Sequence, residues 1–381
     1  MNNKQKHKQT GVGEVPEGWK VVGFEECIRH EVSRVGKVKK EDYNAVGKYP
    51  IIDQSQRLIA GYTDDDSLIY GGNLPVIIFG DHTRVFKFVD FPFVCGADGT
   101  KVLLPDRKKF DPGCLFYFLL NTPIPSRGYN RHYSLLRTKN ILRPPLNEQL
   151  KIASVLSTVD EAIQKTGEVI GKAEELKQGL MQSLLILGRV VRLEEIATQF
   201  ISGGTPSTSN SEYWNGNIPW MKSAWIKRRF VDSGERYISK KGLRNSATNI
   251  VPQGNILIAT RVCMGNVAIN RIDIAISQDL TGVVIEKSKA YPEYVYWALR
   301  NSENRVKQLV QGSTIKGILR EDLKRIKIPL PSLPEQRKIA SIISTVDDKL
   351  EKERRIKSQF EYLKRGLMQV LLTGRVRVKV D

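Results

Sequence analysis

The chain has 381 residues, enough for two or three domains with sizeable cores, and 40% of them are hydrophobic, as in ordinary soluble proteins. No apolar run approaches the ~20 residues that a membrane-spanning helix needs, which excludes that class. Lys and Arg number 60 against 41 Asp and Glu, and the resulting charge of +19 points to a polyanion, above all nucleic acid, as partner.

In chain order, residues 1–13 are polar and basic, lack the apolar stretch of a signal peptide, and read as a disordered tail. Residues 14–146 form a first globular domain, with strand signals at 74–79 and 101–104 and a short aromatic helix at 116–120. Residues 147–187 form a long central helix. A second domain follows at 188–333, with strand signals at 256–258 and 282–285 and another short aromatic helix at 295–299. A second long helix occupies 334–373, and 374–381 read as a tail.

The long helices are a duplication. Residues 148–185 and 335–372 align without a gap at an offset of 335 − 148 = 187 and are identical at 20 of 38 positions. Apolar residues recur at 3-4 spacing in each: Ile152, Val155, Val159, Val169 and Leu176 in the first; Ile339, Ile342, Val346, Ile356 and Leu363 in the second. Prolines precede both helices (Pro144 and Pro145; Pro329, Pro331 and Pro334), and Gly188 and Gly374 stand where C-terminal caps belong. A helix cannot hide such a stripe alone, so the two are expected to pack antiparallel. Leu156, Ile163, Ile343 and Leu350 lie beside the seam and are expected to dock a partner. The expected fold is α+β: two globular α/β domains and two long antiparallel helices in a pseudo-twofold arrangement.

Motifs for chemistry are missing. There is no GxxxxGK[ST] loop, and 143–146 (RPPL) lacks the polar and aromatic residues of an adenine-methylating [DN]PP[YF] loop. No cluster of acids suits Mg²⁺. Cys27, Cys95, Cys114 and Cys263 do not share metal-ligand spacing and are expected to be buried small apolar residues of a reduced, cytoplasmic protein. The 202–206 loop (SGGTP) either offers backbone N–H groups to a phosphate or simply turns the chain. Loops that interleave Arg, Lys, Gln, Tyr and Gly are plentiful, as a DNA-facing surface requires. From them Arg84, Arg127 and Arg131 in the first domain, and Lys222, Lys227, Arg228, Arg261 and Lys316 in the second, are the expected contacts.

The motifs at 144–149 (PPLNEQ) and 331–336 (PSLPEQ), each followed by KIAS and STVD, resemble the specificity subunit of type I restriction–modification systems over essentially the whole chain. The openings at 15–19 (VPEGW) and 202–206, and the stretch 79–84 (FGDHTR), are similar to segments of its target-recognition domains. The first domain departs from the pattern in lacking a GGTP-like opening. The resemblance implies a non-catalytic DNA reader in which each domain recognises one half of a split, asymmetric site. It implies that the helices form the spacer and dock two modification subunits carrying S-adenosylmethionine. A restriction and motor subunit using ATP and Mg would complete the assembly. The rival readings are a fused enzyme with an unseen active site and a basic coiled-coil scaffold that binds DNA through charge alone.

Overall fold

The computed structural model describes residues 7–10, 13–29, 36–97, 99–126, 128, 130–302 and 317–379. The chain divides into two compact units, 1–167 with 355–381, and 168–354. Each takes part of both long helices, Leu146–Leu184 and Leu333–Leu371.

In the first unit an antiparallel sheet runs Ile28–Arg29, Thr100–Pro105, Val76–Gly80, Phe86–Val89. The second unit has a five-stranded counterpart: Ala197–Ser202, Leu280–Ile285, Ile256–Ala259, Val267–Asn270 and, parallel to the last, Phe230–Val231. The apolar runs at 76–79 and 256–259 become strands buried on both faces. Alternation along a strand sends Ile77 and Phe79 into one core and Val76 and Ile78 into another, and Ile256 and Ile258 part from Leu257 and Ala259 in the same way. The first face of each strand packs against a short helix, Pro112–Asn121 or Pro292–Asn301, and against residues of the long helices. A second sheet covers the other face: Lys37–Val38, Val94–Gly96, Tyr49–Ile52, Gly61–Thr63 in the first unit and Arg236–Ile238, Ile218–Met221, Ile274–Ile276, Asn249–Val251 in the second.

The start of each long helix is latched to its domain by a buried glutamine. Gln149 Oε1 accepts the backbone N–H of Asp111 at 2.8 Å, and its Nε2 donates to the carbonyls of Lys109 and Pro144 at 3.0 and 2.9 Å. Gln336 repeats all three bonds, to Tyr291 N at 2.8 Å and to the carbonyls of Lys289 and Pro331 at 3.2 and 2.9 Å. The repeated glutamine is thereby accounted for inside the chain.

Within each unit the helix segments are antiparallel. In the first, Asp160 pairs with Lys364 at 2.6 Å, while Gly167 lies beside Lys357. In the second, Lys177 pairs with Asp347 and Glu174 with Arg354, both at 2.6 Å. Asp160 and Asp347 are equivalent in the duplication (160 + 187 = 347), as are Lys177 and Lys364, so one repeat-encoded pair is made reciprocally.

The buried helix face keeps one row of the expected seam, with Ile152, Val159 and Ile339 buried, but not the other. Leu176 is 55% and Leu363 46% exposed, and Val169 and Ile342 also face solvent. Leu156, Ile343 and Leu350 are instead fully buried, and Ile163 is half-buried. The docking role expected for Leu156, Ile343 and Leu350 fails because the chain consumes these side chains itself. Leu156 and Ile343 pack into the domain cores, since a helix that must cover a sheet as well as a second helix buries a face rotated from a two-stranded seam.

The expected tails are also ordered in part. Residues 7–10 form a strand paired with Gly13–Pro16. After the C-terminal helix, Arg377 donates to Glu148, a residue only 3% exposed that also accepts Trp19 Nε1 at 3.2 Å, and Gly374 in left-handed conformation (φ 70°) seats the turn against Pro16.

Removing one latch tests this packing. Gln336→Ala leaves a buried N–H and two carbonyls without partners, and is expected to cost about 2 kcal/mol. That lowers the unfolding midpoint of its unit by about 5 °C. Differential scanning calorimetry reads the shift, and an unchanged midpoint would remove the latch from the account.

Candidate nucleic-acid interface

At one end of each unit, three segments are tied together through a hairpin between buried strands. In the first unit the hairpin joins Val76–Gly80 to Phe86–Val89. Its Asp81 N–H donates to the Gly99 carbonyl at 2.7 Å, and its Asp81 carbonyl accepts the His132 N–H at 2.8 Å. In the second unit Thr260 holds the equivalent place, with its N–H on the Asp279 carbonyl and its carbonyl on the Ile318 N–H, both at 2.8 Å. The backbone clasp is the same in both units, while the side chains it presents differ.

In the first unit the clasp is reinforced by side chains. Asp81, 2% exposed, accepts the N–H groups of His132 and Tyr133 at 2.8 and 2.7 Å. Gln54 Oε1 accepts the His82 N–H at 3.1 Å, and Thr83 Oγ1 donates to the Gln54 carbonyl at 2.5 Å. The buried pair of Lys87 and Asp53, 3.6 Å apart, fixes the segment that carries Gln54, and burial pulls the Lys87 ammonium below its ordinary range against the pull of Asp53.

The expected DNA contacts fall into distinct settings. Arg84 takes the left-handed conformation (φ 62°) and donates from Nη1 to the Ile124 carbonyl at 2.9 Å, so it braces the hairpin. Arg131 precedes His132 at the clasp and is exposed, with no partner among the described residues. Arg127 and Lys316 lie outside the described residues. Arg261, next to Thr260, is exposed and likewise unpaired among them. Lys222 is engaged by Glu235, through its N–H at 3.1 Å and its Nζ at 3.2 Å. Lys227 and Arg228 are exposed. The next residue, buried Arg229, turns to Glu293 (3.4 Å), Asp347 (3.9 Å) and Asp348, which places this stretch beside the C-terminal helix.

The loop at 202–206 is a packing device. A side chain at Gly203 would overlap the Ile276 carbonyl oxygen, and the Gly204 N–H already donates to that carbonyl at 2.9 Å. Thr205 Oγ1 donates to Gln278 at 2.6 Å, adding the loop to the clasp segment around Asp279.

Sequence reasoning missed Gln54, Asp81, His132 and Arg229 as organising residues. Their partners lie 28 to 119 positions away, and no local spacing signals them.

Cys27, Cys95 and Cys114 are buried, as expected, whereas Cys263 is exposed on the hairpin of the second unit with φ 53°. Burial, with Glu26 adding to it, pushes the Cys27 thiol up to about 12; burial raises Cys95 to about 11 and Cys114 well above its ordinary value. At pH 8, native protein is expected to release about one equivalent of thionitrobenzoate rapidly, from Cys263, and the other three only on denaturation. Peptide mapping that finds a second fast thiol would contradict this burial.

Residues 189–362 match the family model described as the type I restriction modification DNA specificity domain. Across 99% of this chain and 98% of the relative, identity is 29% to a Methanocaldococcus jannaschii protein named for the MjaX type I restriction enzyme specificity subunit. Identity to the EcoR124I/EcoR124II specificity subunit of Escherichia coli is 26%, over 84% of this chain and 85% of that one. The fold is similar to the crystal structure of a type I S subunit from M. genitalium, with a TM-score of 0.70 at 18% identity over 97% of both chains. Both sequence relatives carry a specificity-subunit name, and the reading as a non-specific basic scaffold finds no support. A duplicated helix pair, a duplicated clasp and this full-length similarity converge: the chain is similar, from end to end, to type I restriction–modification DNA specificity subunits.

Proposed function

We propose that each unit reads one half of a split DNA site through its clasp end, and that the long helices set the unread spacer. The observation that carries this is the repetition of one backbone clasp with different side chains on it, Asp81, His82 and Thr83 in one unit and Thr260, Arg261 and Val262 in the other. A shared frame with exchanged contents suits two readers of different base sequences. Arg131 and Arg261 supply cations close to the clasp. Lys227 and Arg228, standing beside the helix, suit phosphates. Chemistry belongs to partner subunits in this reading: S-adenosylmethionine on a modification subunit, ATP and Mg on a restriction subunit.

Replacing residues 14–143 with the matching segment of a relative is expected to change one half of the methylated motif and leave the other half intact. Single-molecule methylome sequencing of a host carrying the chimera and its modification partner reads both halves. A motif altered in both halves, or in neither, would overturn separate reading.

Docking of modification subunits, which the buried leucines and isoleucine cannot serve, is better placed on the leucine left exposed in both repeats, Leu176 and Leu363 (176 + 187 = 363). Equivalent exposed side chains in equivalent surroundings suit two copies of one partner, giving two modification subunits for each specificity subunit. Leu176→Glu and Leu363→Glu are each expected to remove one copy, and the double variant both, with DNA affinity of the isolated chain unaffected. Native mass spectrometry of the assembled complex counts the copies; a two-to-one mass in the double variant would exclude this surface.

A further inference from the structure

We infer that the hairpin after Ile256–Ala259 is the base-reading element of the second unit, and that it takes a major-groove edge offering a guanine to Arg261 and a thymine methyl to Val262. The inference rests on the function proposed above and narrows it to one segment.

The hairpin is a short projection on a rigid platform. Its strands are buried on both faces, and its base is closed by Ala259 N–H on the Asn266 carbonyl at 2.8 Å and Gly265 N–H on the Ala259 carbonyl at 3.0 Å. Thr260 is held on both sides, by its N–H and its Oγ1 (3.2 Å) on the Asp279 carbonyl and by its own carbonyl on Ile318. What projects is 261–264. Asn266 N–H returns to the Cys263 carbonyl at 3.1 Å, and Cys263 takes the left-handed conformation that this tight return needs. A thiol side chain in that conformation is uncommon for stability alone, because a glycine would sit there with less strain.

The tip is built unlike the hairpin of the first unit. There Asp81, Thr83 and Arg84 spend their polar atoms on His132, Gln54 and Ile124. At the second tip Arg261 has no partner among the described residues, Val262 is 51% exposed, and Cys263 is exposed beside it. A two-stranded ribbon fits the major groove, where a free guanidinium can address guanine O6 and N7 and an uncovered apolar side chain can meet the thymine methyl. Phosphate contact would need the cation but would leave Val262 uncovered.

Cys263 makes the inference testable on the native chain. The assembled methylating complex is given duplex carrying its methylated motif, or the same duplex with the half read by the second unit scrambled, and is alkylated with iodoacetamide. With cognate duplex at about ten times its Kd, the rate at Cys263 is expected to fall about tenfold, and with the half-scrambled duplex clearly less. Equal slowing by both duplexes would make the hairpin a backbone contact. Slowing by the modification subunit without DNA would make it a protein-docking loop. Either result, or no slowing, overturns the inference. Independently, Arg261→Ala is expected to reduce the preference for cognate over half-scrambled duplex roughly tenfold to hundredfold, with the first half still read and the thermal midpoint retained. An unchanged preference also overturns it. Failure of the broader function would look different, since the unaltered chain would then show no preference between the two duplexes.

Discussion

The rest of the structure depends on the buried amide latch at the start of each long helix. Gln149 and Gln336 close a gap between an extended strand end, the start of a short helix and the start of a long one, where three backbone groups would otherwise be buried unpaired. An unmade bond there costs more than a made one contributes, so the amide is required rather than merely favourable. Glutamine suits the place because one planar group offers one acceptor and two donors at fixed angles. Glutamate would lose both donors and bring a charge into the core.

From that anchor, each domain face is oriented against its helix, and the reciprocal pairs of Asp160 with Lys364 and Asp347 with Lys177 then select the helix register. Lys364 and Lys177 also lie over the rings of Tyr117 and Trp297, at 5.5 and 4.9 Å. Half-buried pairs of this kind add little to stability alone. Their value lies in specificity: a shift of one helix past the other by one turn, about 5.4 Å, separates both pairs. Because one repeat sequence supplies both members of the pair, a single pairing rule was copied with the helix.

The helices were legible in sequence because their signal is local: 3-4 apolar spacing, proline before and glycine after. The two flanking sheets were legible only as isolated apolar runs. Which run pairs with which depends on contacts such as Leu103 with Ile77, across a chain separation that no short window sees. One row of the expected seam is buried, at Ile152, Val159 and Ile339, while its alternate positions, Val169, Leu176, Ile342 and Leu363, face solvent, because periodicity reports a stripe but not which edge of a wide stripe faces inward. The clasp was not legible at all. It is made almost wholly of backbone groups, and its side-chain reinforcements in the first unit have no counterpart of the same type in the second. Loop composition did single out Arg131 and Arg261, since a basic residue among polar and glycine residues is visible without tertiary knowledge. It also selected Arg84 and Lys222, whose engagement with Ile124 and Glu235 only the fold reveals.

The two units also differ where they meet their helices. In the second unit Arg229, with a side chain 8% exposed, brings a cation into a nest of Glu293, Asp347 and Asp348 and over the ring of Trp297 at 5.6 Å. In the first unit the equivalent aspartate, Asp160, is met by the Tyr117 hydroxyl at 2.8 Å and by Lys364. Both aspartates pair with a lysine; beside it stands a neutral hydroxyl donor in one unit and a buried guanidinium, 3.9 Å from the carboxylate, in the other. The second solution also ties the Lys227–Arg228 stretch to the helix through an adjacent residue, so displacement of that stretch must disturb a buried ion pair. Among the described residues the first unit shows no such arginine at Asp160. Loops that change to read new sequences are therefore constrained unequally: in the second domain, loss of the arginine at 229 removes a buried cation that Glu293, Asp347 and Asp348 share, leaving Lys177 as the partner of Asp347.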